Sequence, residues 1–374
     1  MTLHSFESVP KSFQDLSAKQ LTVGLVGYGF IGEVHARAIK AANGAIKSIA
    51  GGTLDDAQVA AARSGIPNAV TVTEMVNDPE IDVIHICTPN IFHAELAEIA
   101  IRARKHVICE KPLAVTVEQA EHLTDLASKY GVVATVPFVY RYYPSVREAR
   151  SRITTLKEPL VLLHGFYLQD WLSRETTFNW RIDPALGGPS RAFGDIGVHW
   201  FDLLEFVTGH RITRLNAQML KVFSSRGSHK SVQTEDGVTL IFTTDKGAQG
   251  SLAVSQVSPG RKNKLWFSFE SPTECFVFDQ EAPDSLWVGG LDSNQIVMRG
   301  SMDESIDSKL FSYLPSGHPQ GYQDCFNSMV GDTYKAISGQ ETSGLPTFED
   351  GLRAAKLTEA VLESSKNGKW VEIK

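Results

Sequence analysis

The strongest constraint on the fold is a glycine-rich turn with the sequence Gly27-Tyr28-Gly29-Phe30-Ile31-Gly32. It follows an apolar run over 21–26 and precedes apolar residues at helical spacing, which predicts strand, turn and helix. A dinucleotide site uses this order, because the first glycine allows a tight turn, the second lets the backbone approach a pyrophosphate, and the third lets helix and strand pack closely. All six residues are therefore candidate cofactor contacts. An ordinary strand–helix turn can share the pattern, so the rest of the chain must decide.

Composition and charge argue against several classes of function. The chain has 374 residues, enough for two domains, and a formal net charge of −7. That charge predicts neither a nucleic-acid partner nor an anionic membrane partner. No apolar run reaches the roughly 18 residues that span a membrane, and residues 1–20 lack the apolar core of a secretion signal. We expect residues 1–20 to form an N-terminal arm.

The four cysteines are scattered along the chain at Cys87, Cys109, Cys275 and Cys325. None forms a C-x-x-C pair, and the first two end predicted strands, as small buried apolar side chains do. This usage argues against a zinc site and a disulfide framework, and it favours a reducing, cytoplasmic setting.

Residues 21–140 alternate short apolar runs with helical stretches, which is typical of an α/β Rossmann domain with a doubly wound parallel sheet. The predicted strands are 21–26, 45–50, 83–87, 106–109 and 132–136. The predicted helices between them are 32–42, 55–64, 73–76, 94–102 and 117–130. The pattern then changes, and residues 141–374 predict an α+β domain with an open, mainly antiparallel sheet. Its predicted strands are 160–167, 214–222, 237–244, 250–256, 264–270, 275–278, 285–288 and 295–299. Its predicted helices are 146–153, 196–206, 322–338 and 348–367. We expect the site in the crevice between the two domains.

The end of the second strand bears on the choice of cofactor. An acidic residue there binds the ribose of NAD, whereas a nearby arginine accommodates the 2′-phosphate of NADP. Here Gly51, Gly52 and Thr53 occupy the position, and the next basic residue is Arg63. The acidic pair 55–56 would repel a phosphate, although Asp55 could equally cap the following helix. The pattern favours NAD, leaves NADP open and makes Thr53 a candidate contact.

Two more strands end in polar segments. Thr88-Pro89-Asn90, with His93 just beyond, follows one strand, and Glu110-Lys111-Pro112 follows the next. Ligands of open α/β sheets bind outside the carboxyl ends of the strands, so these residues are candidates to line the cofactor. Lys111 could also hold a substrate hydroxyl. The alternatives are a simple helix-starting turn and an ordinary surface lysine.

A third segment places Asp195 and His199 four residues apart, which brings them to one face of a helix. An imidazole can accept a hydroxyl proton, and a carboxylate one turn away can bind substrate or orient the ring. Asp202 could pair with His199 from behind. The alternative is a capping aspartate and a buried structural histidine. Because no second histidine stands at ligand spacing, we expect no metal.

These segments together resemble the glucose–fructose oxidoreductase/inositol 2-dehydrogenase (Gfo/Idh/MocA) family of NAD(P)-dependent oxidoreductases. The resemblance rests on the glycine turn, on T-P-N-x-x-H at 88–93, on E-K-P at 110–112, and on Gly187-Gly188 with D-I-G-x-H at 195–199. It implies a dehydrogenase for a secondary hydroxyl of a sugar, cyclitol or derivative, assembled as a homodimer or homotetramer through the C-terminal sheet. His199 would be the acid/base, Asp195 would bind substrate and tune His199, and Lys111 would hold the reacting hydroxyl.

Other residues of the resemblance concern the substrate. Tyr140 stands where many members have asparagine in an N-x-R-F-x-P segment, while Arg141 matches it. Segments at 169–172 and 179–181 are similar to a sugar-dehydrogenase subgroup, and their side chains suit a polyhydroxylated ligand. The substrate-binding candidates are thus Arg141, Gln169, Trp171, Trp180, Arg181, Asp195, His199 and His318. Two other functions stay open: an NAD-dependent glycosidase of the same fold, and a non-catalytic nucleotide-sensing regulator.

Overall fold

The computed structural model describes residues 20–227 and 231–373. The arm predicted over 1–20 lies outside these residues, apart from its last position. No helix in the described ranges is long and apolar enough to cross a membrane.

Residues 21–140 form the predicted parallel sheet. Among the described residues it has six strands in the order β3-β2-β1-β4-β5-β6, every pair parallel. This order reverses direction between β1 and β4, which is where doubly wound sheets bind ligands. The short strand β3 was not predicted, because two residues carry no periodicity. The strands are β1 (Thr22–Val26), β2 (Ala45–Ala50), β3 (Asn68–Ala69), β4 (Val83–Ile86), β5 (His106–Cys109) and β6 (Ala134–Thr135).

Helices connect these strands close to their predicted bounds. They are α1 (Phe30–Ala41), α2 (Leu54–Ser64), α3 (Val72–Asn77), α4 (His93–Arg102) and α5 (Val117–Tyr130). Right-handed crossovers leave β1 and β4 in opposite directions, so α1 and α4 lie on opposite faces of the sheet. Strand β4 is buried along its whole length, as a strand covered on both faces must be.

The rest of the chain builds a second, open sheet. Over the described ranges it has nine strands in the order β14-β13-β12-β11-β7-β10-β9-β8-β15, with only β7 and β10 paired in parallel. The mainly antiparallel prediction is confirmed. The strands are β7 (Leu162–Leu168), β8 (Ile212–Leu220), β9 (Gly237–Thr244), β10 (Gln249–Ser255), β11 (Lys264–Glu270), β12 (Glu274–Asp279), β13 (Ser285–Gly290), β14 (Asn294–Met298) and β15 (Val371–Glu372).

The two faces of this sheet differ. One register row, which includes Leu240, Leu252 and Phe267, is buried against helices. The neighbouring row points outward and exposes Ile241 and Ile296. The helices of this part are α6 (Pro144–Thr154), α7 (Pro184–Gly187), α8 (Val198–Thr208), α9 (Ile306–Lys309), α10 (Tyr322–Ile337) and α11 (Phe348–Asn367).

The last two helices return to the first sheet. Helix α10 packs against α1, where the Gln323 amide donates to the carbonyl of Val34. Helix α11 packs against α5, and Gly351 sits so close to Leu113 that an added Cβ would lie 2.8 Å from it. The crevice between the sheets is therefore braced by chain from both parts.

Candidate active site

The three glycines of the turn differ in what an added side chain would meet. Gly27 has φ +88°, and an added Cβ would lie 2.8 Å from the carbonyl oxygen of Cys87. At Gly32 an added Cβ would lie 2.4 Å from the carbonyl oxygen of Gly27, whereas at Gly29 it would meet nothing within 4 Å. The open side of Gly29 leaves room for a pyrophosphate against the N-terminus of α1, where no described side chain caps the helix. The turn therefore fits a dinucleotide.

The glycine turn allows a prediction from two matched substitutions. Gly29→Ala is expected to fold, at a cost of about 1 kcal/mol or less, because its methyl group meets no protein atom. It should still weaken NADH binding by about tenfold or more, since the methyl enters the pyrophosphate space. Gly32→Ala should destabilise the protein itself, because its methyl overlaps a backbone oxygen. Fluorescence titration with NADH and thermal unfolding would measure both; equal NADH affinity of Gly29→Ala and wild type would contradict the assignment.

The other side chains of the turn lie in different environments. Phe30 is 76% exposed, and Ile31 packs against the core. The Tyr28 ring lies under the Arg63 guanidinium, which donates to the Tyr28 carbonyl at 2.9 Å.

Thr53, and not Asp55 as considered above, is the residue that caps α2. Its hydroxyl accepts from the backbone N–H of Asp56 and donates to the Asp56 carboxylate at 2.8 Å. That carboxylate lies 3.6 Å from the position of a Cβ on Gly52. An acidic group therefore stands at the end of β2 although the strand itself carries none.

The segment after β4 braces the site. The buried Thr88 hydroxyl has no hydrogen-bond partner among the described residues. Pro89 precedes a 3₁₀ turn, Asn90–Phe92, and the Asn90 amide donates to the carbonyl of Gly187 at 2.8 Å. This bond ties the segment to the Gly187-Gly188 loop.

Two predicted cofactor residues need correction. The buried His93 ring places Nδ1 2.7 Å from the Pro112 carbonyl and Nε2 2.9 Å from the Thr88 carbonyl, which leaves no ring nitrogen for a cofactor. Glu110 is also buried, and its oxygens lie 3.0 Å from His35 Nε2 and 3.2 Å from the Lys111 N–H. Both side chains hold the turns that surround the site rather than reach a ligand.

Lys111 and Asp195 meet at the centre of the site. Lys111 Nζ donates to Asp195 Oδ1 at 2.7 Å and to the Asp195 carbonyl at 2.8 Å. The same carboxylate accepts from Gln256 Nε2 at 2.8 Å and lies 3.4 Å from Arg181 Nε. Burial would raise the pKa of Asp195, but the charges of Lys111 and Arg181 outweigh it and hold that pKa far below its usual range. Asp195 is therefore an anion.

The local fold differs from the helix predicted over 196–206. Residues Phe193–Gly197 form a π-helical turn that carries Asp195, and α8 follows with His199. Helix α8 is fixed on the second sheet by Trp200, whose Nε1 donates to the Trp266 carbonyl at 2.9 Å. The indole fits because an added Cβ on Gly165 would lie 2.5 Å from that nitrogen. Such π-helical turns often occur at functional sites.

His199 is buried and close to aromatic rings. Its ring centroid lies 5.0 Å from that of Tyr140 and 5.7 Å from that of Phe138. Burial, together with the charge of Lys111, lowers the pKa of His199 well below its ordinary value. Its Nδ1 has no hydrogen-bond partner among the described residues. The imidazole is therefore neutral.

Arg141 does not reach this site, contrary to the prediction. Its Nε donates to Asp202 Oδ2 at 2.8 Å, and its other nitrogens donate to Asp202, to Asp350 and to the Gly344 carbonyl. Asp202 thus pairs with Arg141, not with His199 as considered above. The guanidinium has no spare donor pair for a sugar, and its role is to join α8 to α11.

We expect Arg141→Met to lower the free energy of unfolding by about 3–5 kcal/mol, because it leaves Asp202 buried without its partner. Chemical denaturation would measure this. The control is Arg102→Ala, which breaks an exposed ion pair with Glu98 and should cost about 1 kcal/mol or less. If Arg141→Met lost activity but kept its stability, Arg141 would instead be a substrate-binding residue.

A polar chain runs beside His199 and includes two predicted residues. Trp171 Nε1 donates to Gln169 Oε1 at 2.8 Å, and Gln169 Nε2 donates to Asn263 Oδ1 at 2.7 Å. Asn263 also accepts from the Tyr167 hydroxyl at 2.7 Å and donates to the Tyr140 hydroxyl at 3.2 Å. The structure thus connects Gln169 and Trp171 to the aromatic rings around His199.

Of the remaining substrate candidates, Arg181 lies at the site and stacks 4.3 Å above the Trp180 ring. His318 is exposed in a loop, where its backbone N–H donates to the Pro315 carbonyl and its own carbonyl accepts from Arg299. No described contact connects His318 to the site. Among the described residues, no three histidine, cysteine or acidic side chains are grouped as metal ligands.

Comparison with known proteins identifies the family. Residues 21–138 match the oxidoreductase family with the NAD-binding Rossmann fold, and residues 159–273 match the GFO/IDH/MocA C-terminal domain. The chain belongs to the Gfo/Idh/MocA oxidoreductase family. The resemblance drawn from its motifs is therefore confirmed.

Several Gfo/Idh/MocA members match along nearly their whole length. Levoglucosan dehydrogenase from Pseudarthrobacter phenanthrenivorans is 30% identical over 396 residues, covering 95% of this chain and 98% of that protein. Glucose-6-phosphate 3-dehydrogenase from Bacillus subtilis is 28% identical and covers 94% of this chain and 98% of its own length. A structure of levoglucosan dehydrogenase in complex with NADH and levoglucosan has a TM-score of 0.87 at 29% identity, covering 95% of this chain and all of that one.

The sequence analysis missed four residues of this Gfo/Idh/MocA site: Gln256, Asn263, Tyr167 and the hydroxyl of Tyr140. Gln256 directly follows β10 and Asn263 directly precedes β11, so a polar residue at a strand end was the one available signal. Tyr140 was noted only because it replaces the asparagine common in the family. In this chain Asn263 brings an amide to the Tyr140 hydroxyl.

Proposed function

We propose that this oxidoreductase is a dehydrogenase that removes hydride from a secondary hydroxyl of a sugar, cyclitol or derivative. The observation that carries the proposal is the Lys111–Asp195 ion pair beside a neutral, buried His199. Lys111 follows β5 and the glycine turn follows β1, so both stand at the carboxyl edge of one parallel sheet. A proton acceptor, a hydroxyl-binding cation and a dinucleotide turn thus share one crevice.

Each residue has a distinct role in the proposed reaction. Lys111 donates a hydrogen bond to the reacting hydroxyl oxygen and favours its deprotonation. His199 takes the hydroxyl proton, which it can do because it is neutral. Asp195 holds the Lys111 ammonium and keeps a carboxylate oxygen beside the substrate. When bound, the nicotinamide accepts the hydride from the carbon.

We propose NAD as the preferred cofactor, with NADP as the alternative. The Asp56 carboxylate at the end of β2 supports NAD, because a second negative charge would meet a 2′-phosphate. Arg63 contacts the turn, but its guanidinium already donates to the Tyr28 carbonyl and to Glu33. The residues present fit the unphosphorylated dinucleotide better.

The polyhydroxylated substrate remains part of the proposal, supported by the wall beside His199. Gln169, Arg181 and Asn263 offer amide and guanidinium groups that pair with hydroxyls, and Trp171 and Trp180 offer rings that cover an apolar sugar face. Two of the relatives that match over most of this chain are named for sugar substrates.

The experiment is a panel of sugars, anhydrosugars and cyclitols assayed with NAD and with NADP at the absorbance band of the reduced nicotinamide. We expect turnover with at least one secondary alcohol and a higher kcat/KM with NAD. Release of a free sugar from a glycoside without net NADH would instead identify the glycosidase. NADH binding without turnover across the panel would support the regulator.

We make three further proposals, about domain bounds, assembly and cellular setting. We propose domains over 21–140 and 141–374, since the first sheet ends before α6 begins. We propose a homodimer or homotetramer through the second sheet, whose outer row exposes apolar side chains at Ile241, Trp287 and Ile296. A reducing, cytoplasmic setting is consistent with four free cysteines.

A further inference from the structure

A buried polar chain that the proposed reaction does not use runs through the first sheet. Glu110 Oε1 lies 3.0 Å from His35 Nε2, His35 Nδ1 lies 2.9 Å from His85 Nδ1, and His85 Nε2 lies 3.0 Å from the Tyr334 hydroxyl. His35 and His85 are fully buried, and Glu110 and Tyr334 are nearly so. We call these four side chains the Glu110 chain.

The hydrogen bonds of the Glu110 chain follow one direction. A carboxylate only accepts, so His35 donates from Nε2. In the tautomer that leaves His35 Nδ1 without a proton, His85 donates from Nδ1 and accepts at Nε2, where the Tyr334 hydroxyl donates. Burial lowers the pKa of His85 well below its ordinary value, which agrees with a neutral ring. Each nitrogen is satisfied, and the negative charge stays on Glu110.

The Glu110 chain joins the parts that the reaction must align. His35 lies on α1, three residues after the last glycine of the cofactor turn. His85 lies on β4, and Tyr334 lies on α10. At the other end, Glu110 Oε2 accepts the backbone N–H of Lys111 at 3.2 Å. One carboxylate therefore contacts both the helix of the cofactor turn and the turn that presents the catalytic lysine.

Packing alone does not require this arrangement. Apolar side chains could fill the space between α1, β4 and β5 without the cost of burying a carboxylate. The carboxylate offers what they cannot, which is a directional acceptor for the Lys111 N–H and a negative charge beside the lysine.

We propose that Glu110, oriented by His35 and His85, is a positioning residue whose carboxylate keeps the Lys111 turn in register with the cofactor turn through both its hydrogen bond and its negative charge. The proposal rests on the proposed role of Lys111 in catalysis. It acts on the reaction through the lysine and makes no contact with the substrate.

The decisive variant is Glu110→Gln, because it keeps the volume and lets the chain reverse its direction. The new amide would donate to His35 Nε2, His35 would donate from Nδ1 to His85, and His85 would donate from Nε2 to the Tyr334 oxygen. We therefore expect a folded protein with the hydrogen bonds intact and the charge removed. His35→Leu is the second variant, since it removes the support and leaves the charge. The matched control is His106→Gln, a half-buried histidine at the opposite end of β5.

The test compares kcat, KM, the Kd of NADH and thermal unfolding, in wild type and in a Lys111→Ala background. We expect Glu110→Gln and His35→Leu to lower kcat by about 10- to 100-fold, with the NADH Kd within about twofold of wild type. In the Lys111→Ala background the same changes should have no further effect on kcat, whereas His106→Gln should leave kcat unchanged in both.

Three results would overturn the proposal. The first is an unchanged kcat in folded Glu110→Gln. The second is a loss of the same size in both backgrounds, which would show that Glu110 acts without the lysine. The third is an effect on NADH affinity alone. If Lys111→Ala itself kept full kcat, the proposed function would fail instead, so the two failures are distinguishable.

Discussion

Lys111→Ala is expected to lower kcat on the true substrate by about 100- to 1,000-fold, because the positive charge that stabilises the developing alkoxide is lost. The Kd of NADH should stay within about twofold, since we expect the glycine turn to hold the pyrophosphate and Lys111 Nζ already donates to Asp195. Steady-state absorbance at the reduced-nicotinamide band would measure kcat, and fluorescence titration would measure the Kd.

The control for this prediction is Lys129→Ala, an exposed lysine near the end of α5. It should leave both values unchanged, and circular dichroism should confirm that the Lys111 variant is folded. The ion pair offers a further check: Lys111 lowers the pKa of Asp195, so its removal should raise that pKa. Full kcat in a folded Lys111→Ala protein would contradict the proposed reaction.

His199→Asn is expected to lower kcat/KM for oxidation by about 100- to 10,000-fold, the range for loss of a general base. Asparagine keeps a polar side chain against the Tyr140 ring but cannot take a proton at neutral pH. Single-turnover measurement of NADH formation would locate the loss in the chemical step. If His199→Asn turned over at the wild-type rate, His199 would not be the general base.

The pH dependence follows from the burial of His199. Only the neutral imidazole can accept a proton, and its pKa lies below the ordinary value of 6.5. As pH falls, the ring therefore stays neutral past the point where an exposed histidine becomes charged. We expect kcat/KM for oxidation to hold down to pH 6.5 and to decline only below it. An acid limb centred above pH 6.5 would show that another group is the base.

Local patterns were sufficient for most of the fold. The strands of the first sheet carry short apolar runs, and helices α2, α4 and α5 were predicted within a residue or two, because periodicity and caps are properties of neighbouring residues. The grouping of Lys111 with Asp195 in one site followed from the family resemblance and not from local spacing. The π-helical turn around Asp195 could not be predicted, since a single wider turn leaves no sequence periodicity.

Long-range polar contacts could not be predicted from the sequence. Arg141 matched a family motif, yet its partners Asp202 and Asp350 lie 61 and 209 residues away. Asn263 reaches Gln169 across 94 residues, and His35 reaches His85 across 50. Such pairs depend on which strands and helices become neighbours, and no local spacing encodes that.

The return of α10 and α11 to the first sheet has a consequence for co-translational folding. Residues 322–367 pack against α1 and α5, which emerge long before them. The nascent Rossmann half therefore keeps apolar surface exposed to solvent while about 180 further residues are translated. A chain stalled before residue 322 should be open to proteases and unable to hold NADH. The first half of this enzyme to be translated would then be among the last parts to finish folding.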